Sequence, residues 1–539
     1  MVLICDLLKG CARWTLFLFV LSAVFPTGVF GQEGLSTLRG TATDSSGAVV
    51  PGVELVAREV LTNITVRTGK TDAQGNYEMP GLKAGKYQLT ATLSGFKKVV
   101  VDDIILQSSQ VRRVEIVLQV GEVASEVTVS ELATAIQTEQ GKIGAEFNAA
   151  KRYQDLPIPG NAFSGTYAVL SLLPDVQRRS GTGSSGGAPT FAGQYGNQVH
   201  MSQDGVKEET LNSQTVNMEA VAELKAVAVN NTAEYARPGY FDTVTKSGTN
   251  QYHAEASYYH RNSALGARSF FQSRKPQIIY HTFNLSGSGP IVKNKTFFYG
   301  LWNGERVPGS TFYLSTVPTE PMRNGDFSEF LQLARPVTIR DPLTGQAFTG
   351  NIIPAQRLSS VARKVQESFL PPPNRPGLAN NLGWLHPYPS DQFYADVFSV
   401  RIDHRLSEKN SLFGRIQTYF PKYVNAGTYP ALASTQLRPN YAWVFTDTHV
   451  FSPNLVNTFS TGGNRDALSY GKEVDGRKPG LASDIVKMLG LQGVNQQGLT
   501  PGGGSPVFSV TGYSTISVTA GGYYLADRNF NFADNVSWA

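Results

Sequence analysis

The sequence predicts a mainly β protein with three parts: an N-terminal β-sandwich, a mixed α/β segment and part of a transmembrane antiparallel β-barrel. Three observations support this fold class. Short alternating runs fill 35–120, strand-length segments recur after residue 250, and short and long connections alternate between those segments. The composition agrees, because 53 Gly, 29 Phe and 23 Tyr favour strands and turns, and only 17% of the residues are charged.

Residues 1–31 are predicted to be a secretory signal peptide. Lys9 and Arg13 precede an apolar run at 14–25, and a small-residue site follows at 29–31. An uncleaved anchor helix is the alternative, although the run is short for a helix that crosses a bilayer. Both cysteines lie in this segment, so the mature chain is expected to have no disulfide and no cysteine nucleophile.

Residues 32–120 are predicted to form the β-sandwich, since alternating runs at 53–57, 87–93 and 111–118 are separated by turn clusters. The stretch from Thr71 to Leu82, followed by 85–89 and Gly95-Phe96, resembles the carboxypeptidase regulatory-like domain. That resemblance implies a transthyretin-like sandwich in the group of carbohydrate-binding-like folds. It implies a structural or binding module and does not imply a peptidase.

Residues 121–248 change in character and include a Gly/Ser loop at 180–187. Apolar residues at spacing three predict a helix from Met218 to Val227. Several motifs occur here, at positions Leu156, Pro157, Phe163, Pro174, Asp204, Gly205, Glu234, Tyr235, Arg237, Thr245, Lys246, Gly248 and Asn250. They resemble the plug of a TonB-dependent receptor of the Oar-like subfamily, so the segment is expected to be a mixed α/β plug.

Residues 249–539 are predicted to be the N-terminal part of an outer-membrane β-barrel. The candidate strands lie at 251–261, 281–291, 296–306, 393–405, 411–420, 440–451, 454–464 and 528–539. Most approach the ~10 residues that a tilted strand needs to cross a bilayer. The chain stops within an apparent strand, and an open sheet edge cannot lie in lipid. The sequence is therefore expected to be truncated.

Motifs for catalysis are weak, and no enzyme activity is predicted. Residues 181–186 match G-x-G-x-x-G and 183–187 match G-x-S-x-G, but both lie in the Gly/Ser loop without a flanking strand and helix. The seven histidines lack metal-ligand spacing. No cofactor and no metal are expected. The net charge of +5 is spread along the chain, so no nucleic-acid partner is expected either.

The resemblance implies an exported protein of the cell outer membrane that binds a ligand and takes it up. Its expected partners are outer-membrane lipid, an inner-membrane energy-coupling protein, and a carbohydrate or other extracellular ligand. Val127, Thr128 and Val129 are the candidate TonB box, with a linker strand as the alternative. Two other functions stay open: an adhesion or structural protein that uses the barrel as an anchor, and a carbohydrate-binding surface protein.

Overall fold

A computed structural model gives the fold. It describes residues 35–108, 110–121, 126–130, 143–147, 176–177, 190–191, 199–207, 218–229, 239–267, 277–425, 429–432, 434–453, 455–471, 485–493, 507–517 and 523–538. Strands dominate these ranges, which confirms the mainly β prediction. Among the helices in these ranges, none combines the length and hydropathy needed to cross a membrane.

The N-terminal part is a two-sheet β-sandwich. Its strands are β1 Ser36–Asp44, β2 Glu54–Glu59, β3 Ile64–Lys70, β4 Asn76–Leu82, β5 Gly85–Thr92, β6 Lys98–Leu106, β7 Val111–Arg113, β8 Ile116–Leu118 and β9 Glu126–Ser130. One sheet has the order β4-β1-β7, with β8 also paired to β1, and the other has the order β3-β2-β5-β6-β9. Alternate residues of β1 are buried, as a strand with one face on a core requires.

The sandwich has a hydrophobic core of its own. The largest fully buried side chains in it include Tyr87, Leu38, Leu55 and Ile104. All members of this core lie between residues 38 and 118. Full burial of one such aliphatic side chain is worth about 1.5–3 kcal/mol. The sandwich therefore has a core to which no described residue of the barrel contributes.

A mixed sheet follows in the middle part. Its strands and two short neighbours are β10 Ile143–Phe147, β11 Val176–Gln177, β12 Thr190–Phe191, β13 Val199–Gln203, β14 Val206–Lys207, β15 Val221–Val229 and β16 Gly239–Thr245. The sheet order is β10-β15-β16-β13-β14, and only the β13–β16 pairing within this order is parallel. β11 and β12 pair separately.

The predicted helix from Met218 to Val227 is wrong. Only Met218–Ala220 forms a 3-10 turn, and β15 begins at Val221. β15 pairs with β10 on one side and with β16 on the other, so both rows of its backbone groups have strand partners. These pairings, together with the β-branched valines, outweigh a spacing of three that also fits a helix.

The C-terminal part is an antiparallel sheet of nine strands: β17 His253–Asn262, β18 Gln277–Val292, β19 Thr296–Ser315, β20 Leu382–Arg405, β21 Asn410–Asn425, β22 Ser434–Leu437, β23 Asn440–Ser452, β24 Leu455–Gly471 and β27 Tyr523–Trp538. A separate small hairpin is formed by β25 Val507–Phe508 and β26 Ile516–Ser517. The eight long strands follow one another as a meander, with β22 filling the space between the ends of β21 and β24.

The connections confirm the predicted alternation. Short turns at 293–295, 406–409 and 453–454 join strands at one rim. Long connections at 263–276, 316–381, 426–439 and 472–522 join them at the other rim. This is the arrangement of outer-membrane barrels, in which the short turns are periplasmic and the long loops are external.

The two faces of the barrel sheet differ in polarity, as expected when one face contacts lipid and the other faces the lumen. In β20, Phe398, Val400 and Ile402 are exposed, whereas Ser399, Arg401 and Asp403 between and beyond them are buried. The apolar outward set is Phe283, Leu285, Ile291, Phe398, Val400, Ile402, Ile416, Tyr441, Trp443, Phe445, Phe459, Phe530, Phe532 and Val536. The polar inward set includes Asn284, Asn303, Glu305, Ser399, Arg401, Asp403, Arg415, Gln417, Thr446, Thr448, Thr458 and Asn535.

The external connections fold into a cap. It contains helices α1 Glu320–Arg323, α2 Ser360–Phe369 and α3 Ile485–Leu489. A single apolar core joins residues from three different connections: Val317, Val365, Phe369, Leu370, Leu382, Tyr429, Leu489 and Ile516. The connection predicted at 307–392 is shorter than expected, because β19 and β20 continue to pair as far as Ser315 and Leu382.

Candidate functional site: the junction of middle sheet and barrel wall

The junction begins with a two-residue turn in the middle sheet. Asp204 and Gly205 join β13 to β14 with positive φ values of 50° and 78°. Asp-Gly is a preferred sequence for such a turn, because both central residues need positive φ. The Asp204 carboxylate accepts hydrogen bonds from the backbone N–H of Thr245 at 2.8 Å and from its hydroxyl at 2.9 Å. The turn is thereby fixed to the end of β16.

Two arginines of the barrel wall meet this carboxylate. Nη1 of Arg401 on β20 lies 3.2 Å from Oδ1 of Asp204, and Nε of Arg415 on β21 lies 2.7 Å from Oδ2. The side chains are only 6%, 3% and 1% exposed for Arg401, Arg415 and Asp204, respectively. Charge-assisted hydrogen bonds of this kind are among the stronger ones in proteins, and each buried charge depends on its partners.

Asp403 supplies the second carboxylate of the network. It accepts two hydrogen bonds from Arg401, at 2.8 Å from Nε and 3.0 Å from Nη2. The two residues can face each other because they are two positions apart on one strand. Ser247, just after β16, also donates to Asp403 at 2.7 Å. Two guanidinium groups and two carboxylates therefore form the buried part of the network.

The sandwich reaches the same network through Lys83. Its Nζ lies 3.1 Å from Oδ1 of Asp403 and 5.1 Å from the ring centre of Phe413. The guanidinium of Arg401 also stacks over Phe413, at 4.3 Å. Lys83 is partly exposed, so its ion pair contributes less than the buried pairs do. All three parts of the chain meet at Asp403.

Gly248 marks a close approach between the middle part and the barrel. A Cβ at this position would lie 2.3 Å from the carbonyl oxygen of Phe298 and 2.8 Å from that of Gly289. Both oxygens belong to barrel strands, and contacts this short cannot be accommodated without moving the backbone. Glycine is therefore required here by space.

Asn250 links the sandwich to a periplasmic turn of the barrel. Its backbone N–H donates to the carbonyl of Leu61 at 3.1 Å, and its side-chain amide donates to the carbonyl of Thr62. The same amide group donates to Oδ1 of Asn294 at 2.7 Å and accepts from the backbone N–H of Asn294 at 2.8 Å. Asn294 has a φ of 58° in the turn between β18 and β19.

A second buried contact ties the middle sheet to the sandwich. The carboxylate of Glu223 on β15 accepts from the backbone N–H of Ser108 at 2.8 Å, and the ammonium of Lys225 donates to the carbonyl of Ser108 at 2.7 Å. Lys246 lies near the same sheet, with its Nζ 4.0 Å from Glu255 of β17. The contacts of Glu223 and Lys225 with Ser108 therefore attach the sandwich to the middle sheet, and Lys246 links that sheet to the barrel.

The candidate TonB box lies in a strand of the sandwich. Val127, Thr128 and Val129 belong to β9, which pairs in parallel with β6 in the register Val127 with Val99 and Val129 with Val101. The sheet therefore extends past the boundary predicted at residue 120. As the end strand of the sheet order, β9 has only one strand partner in the described part of the chain.

Of the motif positions predicted from sequence, the structure brings Asp204, Gly205, Thr245, Gly248 and Asn250 to the junction. Lys246 lies at its edge. The remaining positions lie outside the described residues, as do both Gly/Ser-loop motifs: Leu156, Pro157, Phe163, Pro174, Glu234, Tyr235 and Arg237.

The sequence did not predict the barrel residues of the junction, which are Arg401, Asp403 and Arg415. It also did not predict Lys83 of the sandwich or Ser247 after β16. The signal that was present is the alternation of β20, which puts Arg401 and Asp403 opposite Phe398 and Ile402. Charged side chains on the inward face of a membrane strand point to a polar partner in the lumen. Alternation alone does not identify that partner.

The junction has the chemistry of a binding and positioning site. Arg401 and Asp403 line a cavity of about 1010 Å³ between the sandwich, the middle sheet and the barrel wall. In the described ranges, no three His, Cys, Asp or Glu side chains cluster closely enough to hold one metal ion. The charged groups of the junction are paired with one another, and these pairs hold the middle sheet against the barrel wall.

An apolar outward face, a polar lumen face and alternating connections define the class of outer-membrane β-barrel proteins. Comparison with known families agrees. The family described as outer membrane beta barrel domain matches residues 244–539, and the carboxypeptidase regulatory-like domain matches residues 37–119. The chain belongs to the outer-membrane β-barrel family, with an N-terminal carboxypeptidase regulatory-like domain, and its location is the outer membrane.

Individual proteins show more distant similarity. The TonB-dependent transporter Oar of Myxococcus xanthus is 24% identical over 343 residues, which cover 60% of this chain and 31% of that protein. The chain therefore spans about a third of the length of this curated relative. The ferric enterobactin receptor PfeA of Pseudomonas aeruginosa matches at 13% identity and a TM-score of 0.36, covering 61% of this chain and 41% of that one. The siderophore receptor PirA of the same organism matches at 10% identity and a TM-score of 0.33, covering 61% and 44%.

Proposed function

We propose that the chain is part of a TonB-dependent receptor that binds an extracellular ligand and takes it up across the outer membrane. The supporting observation is the buried network in which Asp204 of the middle sheet pairs with Arg401 and Arg415 of the barrel wall. In this proposal, residues 121–248 act as the plug, and the network holds the plug against the wall until transport requires it to move. The similarity to the transporter Oar supports the same function.

The energy-coupling partner of this proposal is an inner-membrane protein that reaches the receptor from the periplasm. The three residues 127–129 are its proposed contact. Pairing of β9 with β6 would keep this segment in place until the energy-coupling protein binds it. Recognition by strand addition needs an exposed strand edge. The second edge of β9 offers one, because β9 ends the sheet order in the described part of the chain.

Uptake assays test the transport proposal. Cells that express the receptor would be given labelled oligosaccharides and labelled iron chelates, with and without the energy-coupling protein. Transport predicts accumulation of at least one probe inside the outer membrane only when the coupling protein is present. Surface binding that is unchanged by loss of the coupling protein, with no accumulation, would argue against transport.

A second candidate function is adhesion, with the barrel as a membrane anchor. The observation that favours it is the cap, in which three external connections share one apolar core. A folded external surface suits a macromolecular partner as well as it suits a small ligand. Assays of cell attachment and of uptake distinguish the two functions. If the protein is an adhesin, deletion of the cap abolishes cell attachment, and deletion of the whole protein leaves nutrient accumulation unchanged.

A further inference from the structure

Two histidines face each other across the first two barrel strands, away from the junction and from the cap core. His260 of β17 is the direct register partner of His281 of β18, and their ring centroids lie 4.9 Å apart. Tyr258 lies on the same face of β17. Its hydroxyl oxygen is 2.7 Å from Nδ1 of His281 and 3.5 Å from Nδ1 of His260. Two imidazole nitrogens therefore lie within 3.5 Å of one phenol oxygen.

These donor separations match those around a small metal ion. Zinc binds imidazole nitrogen at about 2.0–2.1 Å, and tetrahedral angles then separate neighbouring donors by roughly 3.3 Å. The observed separations of 2.7 and 3.5 Å bracket that value. Rotation about the terminal torsion of a histidine side chain is soft, so small rotations of the two imidazole rings adjust the distances of their nitrogens from the phenol oxygen.

The position of the cluster on the barrel makes it accessible to ions in water. His281 is eleven residues from Val292 at the periplasmic end of β18. At ~3.3 Å per residue and a tilt of about 40°, this span rises about 28 Å along the membrane normal. The apolar band of such barrels is about 25 Å tall, so the cluster lies at its external boundary. Tyr258 and His260 are exposed there.

We propose that His260, His281 and Tyr258 form a binding site for a divalent transition-metal ion, of which Cu²⁺ and Zn²⁺ are the best matched. Imidazole suits these ions, whereas Mg²⁺ and Ca²⁺ prefer oxygen-only sites. The ring of Phe283 lies 5.0 Å from that of Tyr258 and covers one side of the cluster. On binding, the tyrosine hydroxyl gives its proton to solvent and becomes the third ligand, and the ion keeps water in its open position.

The test uses the full chain folded in detergent, purified without a histidine tag. Calorimetric titration with Cu²⁺ is expected to give one ion per chain, and His260→Gln and His281→Gln are each expected to weaken binding at least 10-fold. A phenolate-to-copper absorption band should appear in the visible spectrum and disappear in Tyr258→Phe. The matched control is His253→Gln, an exposed histidine on the opposite face of β17, which is expected to change affinity less than twofold.

Two results would overturn this site. One is wild-type binding without the absorption band, because the tyrosine would then not be a ligand. The other is a His260→Gln/His281→Gln variant that keeps the wild-type affinity. Migration of folded and heated samples on gels shows whether each variant has formed its barrel. Tyr258→Phe removes only one oxygen, so it keeps the test decisive if a histidine variant does not fold.

Discussion

Nε of Arg415 lies 2.7 Å from Oδ2 of Asp204, a residue that precedes it by 211 positions in the chain. The two side chains belong to different parts of the fold, since Asp204 turns between two strands of the middle sheet and Arg415 projects from the barrel wall. Both are almost completely buried. The middle sheet and the barrel are therefore coupled by charges that each need the other part of the molecule.

Replacing Asp204 with Asn should destabilise the folded chain by about 3–5 kcal/mol, because two buried guanidinium groups would lose their shared anion. Urea unfolding in detergent measures the loss. The control is Glu54→Gln, which breaks an exposed ion pair with Lys70 and should cost less than about 1 kcal/mol. Equal losses in the two variants would show that the buried network does not couple the parts.

Gly248→Ala should separate the end of the middle part from strands β18 and β19. The added Cβ would lie 2.3 Å from the carbonyl oxygen of Phe298, and overpacking of this kind costs about 1–3 kcal/mol. Gly300→Ala is the control, because its Cβ would lie 3.9 Å from the nearest atom. Protease digestion should cut the Gly248 variant faster between residues 205 and 250. Equal cutting of the two variants would contradict the steric argument.

The barrel could be predicted from sequence because its signals are local. Strand length, alternation and the spacing of turns are all visible within short windows, and all eight long predicted strands are present. Their ends were predicted less well. β19 extends to Ser315 and β20 begins at Leu382, because the backbone groups of the two strands continue to pair with each other beyond the bilayer. Pairing of this kind depends on a strand that is distant in the chain and leaves little local signal.

The junction could be predicted only in part. Asp204, Thr245 and Gly248 could be singled out because they lie in segments that resemble the plug of a receptor family, whereas nothing in the sequence pointed to their partners in the wall. Alternation assigned Arg401 to the inward face, but the identity of its partner depends on how two distant segments pack. The predicted helix at Met218 failed for a similar reason, because β10 and β16 provide strand partners from elsewhere in the chain.

Deletion of residues 33–120 should leave insertion of the barrel into the membrane intact. The sandwich core lies wholly between residues 38 and 118, so its removal takes no side chain from the barrel. The deletion breaks polar attachments at the junction: Lys83 with Asp403, Asn250 with Thr62, and Glu223 with Ser108. The pairing of Asp204 with Arg415 is retained.

Membrane fractionation and gel migration of unheated samples measure that insertion, and the full chain is the control. The deletion variant should be found in the outer-membrane fraction in folded form. A deletion variant that is exported normally and yet remains in the periplasm would contradict the independence of the sandwich.

Glu59 gives the sandwich a predicted pH dependence. Surrounding protein shields the Glu59 carboxyl from water, and this burial raises its pKa above the ordinary value of 4.5. The folded state then holds the proton more tightly than the unfolded state, so the contribution of Glu59 to stability falls as pH rises through the raised pKa. The acceptor role toward the hydroxyl of Thr62, at 2.6 Å, can be kept by glutamine.

Melting temperatures of the full chain and of Glu59→Gln between pH 4 and pH 8 test this dependence. The variant should gain stability relative to the full chain as pH rises, because it carries no proton to lose. A constant difference across the range would show that the pKa of Glu59 is not raised. A relative loss in the variant would show that Lys83 stabilises the charged carboxylate more than burial opposes it.

Tyr429 ties the external connections of the cap together. Its ring is fully buried in the cap core, and its hydroxyl donates to the carbonyl of Thr316 at 2.8 Å and lies 3.3 Å from that of Ser514. Tyr429→Phe leaves these carbonyls without that donor and should cost about 1–2 kcal/mol. Because the three connections share one core, protease cutting should rise within both 316–381 and 507–517. The control Leu343→Ala alters an exposed cap residue and should change neither rate. Faster cutting in only one of the two segments would show that the connections move independently.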